Sequence, residues 1–108
     1  MTDFLIIQTA IDSRKEAQKI AQTVVSQHLA ACCWVSGPIM STYWWKGNLE
    51  QAEEWVCQIK TRKELYPKVE QAIRAVHTYE EPEIIATPIS AGSQGYLAWI
   101  EQETNTRR

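Results

Sequence analysis

The stretch from Ser41 to Trp55 constrains this chain more than any other. It reads as two strands folded about a Lys46-Gly47-Asn48 turn, in which Gly and Asn supply the positive φ angles that tight hairpins need. Aromatic and β-branched residues dominate before the turn, as a strand favours. Three of the five tryptophans (Trp44, Trp45 and Trp55) fall in this segment. So much aromatic surface on a hairpin arm must be covered. In so small a protein the expected cover is another copy of the same chain.

The remaining pattern is read outward from that hairpin. Phe4 to Thr9 is a nearly continuous apolar run, suited to a central strand. Ser13 and Glu16 form a capping-box pair, and Ala17, Ile20, Ala21, Val24 and His28 follow at helical spacing. Cys32 to Trp45 is the second strand. Gly37-Pro38 interrupts it, and since proline cannot donate to a ladder, a bend or bulge is expected there. Leu49 to Lys60 is the third strand, with Trp55, Cys57 and Ile59 on one face and Glu54, Gln58 and Lys60 on the other. Thr61 to Glu64 predicts a second capping box, with Pro67 in the first turn of a helix striped by Leu65, Val69, Ala72, Ile73 and Val76. His77 to Pro82 is a loop, Glu83 to Ile89 a fourth strand, and Tyr96, Leu97 and Ile100 begin a final helix. Thr104 to Arg108 is expected to fray.

The order β-α-β-β-α-β with a closing helix is that of two split βαβ units. It predicts an α+β, ferredoxin-like sandwich with both main helices on one face of an antiparallel sheet. At about 3.3 Å per residue the outer strands span roughly 20 Å, whereas the hairpin strands reach roughly 40 Å. About half of the hairpin should therefore overhang the body, and an unpaired apolar overhang invites association with other copies.

Length and charge narrow the function. A chain of 108 residues makes one domain, spanning 1–108. The net charge of −2 argues against nucleic acid, whose binders carry a basic surplus. No apolar stretch is long enough for a bilayer, so no membrane partner is expected. The N-terminal residues lack a signal-peptide pattern, which makes the cytoplasm the expected compartment. Cys32, Cys33 and Cys57 are odd in number and include no Cys-x-x-Cys, so they read as buried thiols in a reducing compartment.

Several motifs together resemble the CutA family of divalent-cation tolerance proteins. They are Leu29-Ala-Ala-Cys32, Tyr43-Trp-Trp-Lys-Gly47, Ile59-Lys-Thr-Arg62, His77-Thr-Tyr-Glu80, Pro82-Glu-Ile-Ile85 and Tyr96-Leu-Ala-Trp-Ile100. The resemblance implies a ferredoxin-like fold akin to the PII signalling proteins. It also implies a homotrimer with interlocked intersubunit sheets, and tolerance of copper and other divalent metals without enzyme activity. Copper or another divalent cation would then be the cofactor. The copper-ligand positions of that family fall on Gln8 and Val76 here, which cannot serve, so only His77 remains as a metal ligand. It ends the second helix, where the helix dipole favours a cation. His28, on an apolar stripe, reads as structural.

A second reading is an intersubunit pocket for a small metabolite or anion, as in a PII-like sensor. Lys60 and Arg62 would be its cations, Tyr43, Trp45 and Tyr79 its flat walls, and Glu54 and Glu83 its acceptors. Trp44, Trp45 and Trp55 are expected first at the oligomer interface. An RNA-binding version of the fold would need paired aromatics on a basic third strand, a metallochaperone a Cys-x-x-Cys, and an acylphosphatase a phosphate-cradling loop with a nearby arginine. None fits, and no Ser or Cys is recognisable beside a base as a nucleophile.

Overall fold

The computed structural model describes residues 3–105. Four strands, β1 (Phe4–Ile11), β2 (Cys32–Trp45), β3 (Asn48–Arg62) and β4 (Ile85–Pro88), form one sheet in the order β2-β3-β1-β4, with antiparallel neighbours throughout. Helices α1 (Arg14–Ser26) and α2 (Tyr66–Val76) follow β1 and β3, and α3 (Gln94–Glu103) closes the chain. This is the expected ferredoxin-like order.

Alternation along the strands builds the core. Leu5, Ile7 and Ile11 of β1 and Cys57 and Ile59 of β3 meet Ala17, Ile20 and Val24 of α1 and Val69 and Ile73 of α2. Each fully buried aliphatic side chain contributes about 1.5–3 kcal/mol. A smaller cluster of Phe4, Ala31 and Ile100, with Leu97 and Ile89, seats α3 against one end of the sheet. Ser13 caps α1 as expected, its hydroxyl accepting from the Glu16 amide.

The hairpin overhangs the body. β1 pairs with β3 only over Trp55–Arg62, so Asn48–Glu54 has β2 as its single strand neighbour among the described residues. The register of β2 on β3 shifts between Ser36 and Ile39, where the bulge at Gly37-Pro38 was expected. A Cβ at Gly37 would lie 2.8 Å from Trp55 Cδ1, so the chain can cross the indole there only as glycine.

Several local expectations differ. The turn is Lys46-Gly47, with φ of 51° and 82°, and Asn48 already pairs with Trp45. The second capping box does not form. Thr61 stays in β3 and gives its hydroxyl to the Leu29 carbonyl, and a single 3-10 turn, Lys63–Leu65, leads into α2. The fourth strand is shorter than its isoleucines suggest, because Ile84 turns into the core before pairing starts at Ile85. Thr104 does not fray. It is fully buried, donates to the Ile100 carbonyl and accepts from Arg62 Nε. Residues 106–108 of that expectation lie outside the described residues.

Candidate functional site

The overhanging arm and the loop after α2 enclose a cleft of about 650 Å³. Strand alternation sets its arm-side wall. Tyr43 and Trp45, on one face of β2 with Ser41, are each 39% exposed, whereas Trp44, which alternates with them and also borders the cleft, is 72% exposed. Across the cleft lie Tyr79, Glu80, Glu81 and Glu83, with Glu54 of β3 on its floor.

Glu54 is the one buried carboxylate among the described residues, at 7% exposure. One oxygen accepts from the Ser41 hydroxyl, and the other accepts from the Tyr79 hydroxyl at 2.6 Å. Both neighbours are neutral donors, and no cation pairs with Glu54 among the described residues. Burial first, then the hydrogen bond to Glu54, pushes the Tyr79 phenol well above its ordinary range, so it remains a donor.

His77 sets the position of Tyr79. It is the C-cap of α2, and its Nε2 lies 2.8 Å from the Ala10 carbonyl at the end of β1. Its Nδ1 accepts from the Tyr79 amide at 3.1 Å, and the two rings meet edge to face at 4.7 Å. With Nδ1 accepting from the Tyr79 amide, Nε2 is the ring nitrogen that donates to the Ala10 carbonyl. Both ring nitrogens are thereby engaged. A metal ion reaching His77 would displace one of these bonds. A chain of contacts thus runs from β1 through His77 and Tyr79 to Glu54 and Ser41, tying the arm to the body.

The remaining site residues divide between two places. Gln8 donates to Glu83 at 3.0 Å, beside the cleft. Val76 is half-buried against the core. Lys60 and Arg62 lie near the other end of β3. The Lys60 ammonium sits 3.9 Å from the Trp34 ring centre and 3.3 Å from the Tyr96 hydroxyl. Arg62 is committed to Thr104 and Glu64. Within one chain, then, the two cations do not join Tyr43, Trp45, Tyr79, Glu54 and Glu83. Trp55 packs against the core, unlike Trp44 and Trp45. Sequence reasoning missed Ser41, although its place two and four residues before Tyr43 and Trp45 puts it on the same strand face.

His28 lies beyond the end of α1 with φ of 58°, its Nδ1 2.8 Å from the Glu103 carbonyl, which fits a structural role. Of the three thiols only Cys57 is buried, donating to the Ala17 carbonyl, while Cys32 and Cys33 are half-buried and Cys33 donates to the Trp34 carbonyl. The neighbouring Cys57 thiol, together with burial, pushes the Cys33 thiol up. Among the described residues no group of three or more His, Cys, Asp or Glu converges to hold a metal ion. No described helix is long and apolar enough to cross a membrane.

The fold and the arm define a class, the ferredoxin-like proteins with an extended β2-β3 hairpin. Residues 5–103 match the model of the CutA1 divalent ion tolerance protein family, and the chain belongs to that family. It is 40% identical over 94 residues to mouse Protein CutA, covering 87% of this chain and 53% of that protein, so it spans about half the length of that relative. With the divalent-cation tolerance protein CutA of Archaeoglobus fulgidus it shares 39% identity over 90 residues, covering 83% of this chain and 87% of the other. The solved divalent cation tolerance protein of Thermus thermophilus superposes with a TM-score of 0.92 at 31% identity, covering 94% of this chain and 99% of that one.

Proposed function

We propose that this protein is a non-catalytic, cytoplasmic responder to divalent metal ions, copper among them, which binds its ligand as a homotrimer at the clefts beside the hairpin arms. The observation that carries this reading is Glu54, a buried carboxylate with no cation beside it, on the floor of a cleft rimmed by Glu80, Glu81 and Glu83. A cation entering there meets Glu54 and Glu83, while Glu80 and Glu81 at the rim are paired with Lys46 and Arg74. The apolar arm supports the trimer, since Trp44 and Leu49 are 72% and 61% exposed in one copy. The acidic balance and cleft support no nucleic-acid role.

Copper affinity should be weak, no tighter than about micromolar, because one imidazole with oxygen ligands makes an unselective site. Thermal shift and titration with copper(II) and with inorganic phosphate, side by side, test the proposal. Copper binding lost in Glu54→Gln and reduced in His77→Ala is the expected result. Nanomolar, stoichiometric copper binding that survives both changes would refute it.

A second reading, a PII-like sensor or carrier of a small anionic metabolite without a metal role, is favoured by Lys60. This half-buried ammonium has no carboxylate partner among the described residues and is held over Trp34. Phosphate binding abolished by Lys60→Ala, with copper inert, would establish this reading in place of the first.

A further inference from the structure

We propose that the cleft also accepts a primary alkylammonium, so that a small organic amine is a ligand there beside the metal ion. This rests on the reading above that the cleft is a ligand site, and it goes further by naming the ligand's chemistry.

Three observations converge. The first is the combination of walls. The lining holds Tyr43, Trp45 and Tyr79 together with Glu54 and Glu83, and no Lys, Arg or His. Aromatic faces and carboxylates both attract cations, and together they suit one with an organic body. The second is Glu54. Its 7% exposure and its two neutral partners leave a buried carboxylate with no cation beside it among the described residues. An ammonium brings three N–H donors and a positive charge, which supply the missing partner.

The third observation lies at the mouth. The Lys46 ammonium is 5.5 Å from the Trp45 ring centre and 3.5 Å from a Glu80 oxygen. The protein's own alkylammonium therefore already rests between an aromatic face and a carboxylate at the rim of the same cleft. That side chain is 66% exposed and stays outside, whereas a free amine would reach the floor.

Size and geometry agree. A volume of about 650 Å³ is far larger than a bare ion needs and falls in the range of small-molecule sites. An ammonium is satisfied by hydrogen bonds near 2.8 Å and by aromatic faces at longer range.

The test is calorimetric titration of the full-length protein with n-butylammonium, butyrate and copper(II), repeated on Glu54→Gln and Trp45→Leu. Circular dichroism and thermal melting confirm that each variant is folded. Saturable n-butylammonium binding is expected, weakened about tenfold or more in each folded variant, with no saturable butyrate binding. Copper binding lost in Glu54→Gln, with n-butylammonium inert, would overturn the amine assignment and leave the cleft as a metal site. If neither cation binds, the cleft reading and the amine assignment both fall. Amine binding unchanged in Glu54→Gln would also overturn the assignment, since the ligand would then lie elsewhere.

Discussion

The two ends of β3 live in different surroundings. From Trp55 to Arg62 the strand is flanked by β1 and β2, and Cys57, Ile59 and Thr61 are fully buried. From Asn48 to Glu54 it has only β2 beside it among the described residues, and all but Ala52 and Glu54 are exposed. One continuous strand thus has two settings. Its body half holds the fold together, and its arm half borders the cleft and leaves apolar side chains exposed. Glu54 stands at the junction, the last residue of the arm before pairing with β1 begins.

The sharpest way to test that contrast is to truncate one residue from each half. Ile59→Ala should cost about 2–5 kcal/mol in urea denaturation, because it opens a cavity among fully buried neighbours. Leu49→Ala, exposed in a single copy, should change the folding of the dissociated subunit, measured at dilution below trimer assembly, by no more than about 0.5 kcal/mol. Equal losses would mean that the arm is as much a part of the core as the body.

The junction should respond next. Glu54→Ala leaves the Ser41 and Tyr79 hydroxyls without their acceptor and should cost about 1–3 kcal/mol in the same measurement. Glu54→Gln keeps an acceptor and should cost less.

A smaller loss, about 0.5–1.5 kcal/mol near neutral pH, is expected for Tyr79→Phe. This variant also carries a pH signature. The folded Tyr79 holds its proton above the ordinary phenol value, while the unfolded chain releases it near pH 10. Its stabilising contribution is therefore intact below about pH 10 and lost as pH rises through the higher folded value. Stability measured between about pH 9 and pH 11 should fall less steeply in Tyr79→Phe than in the wild type. Identical slopes would remove Tyr79 from the junction. The smallest effect belongs to Gln8→Ala, about 0.5 kcal/mol or less, since its bond to Glu83 is exposed.

The contrast also explains what the sequence could reveal. The arm was legible because glycine marked the turn and because the strands around it were too long for the body. The core was legible from the two helical stripes. The capping box at Thr61 was misread because its pattern is identical whether the hydroxyl serves a helix or, as here, the Leu29 carbonyl across the fold. The short fourth strand was hidden for a similar reason, since Ile84 and Ile85 look alike in sequence but pack in opposite senses.

At the cleft, the aromatic and acidic residues stood out by type. Their separation from Lys60 and Arg62 did not, because it depends on which end of β3 each residue occupies. His77 drew notice as a possible ligand, while its bonds to Ala10 and Tyr79 depend on contacts between β1 and the end of α2.

The body is expected to fold on its own and the arm to be covered by other copies. Sedimentation equilibrium at micromolar concentration tests it most directly, on the wild type and on a Trp44→Ala, Leu49→Ala double variant. The expected result is a trimeric wild type and a folded variant that dissociates toward monomers. A monomeric wild type, or a variant as firmly trimeric as the wild type, would contradict it.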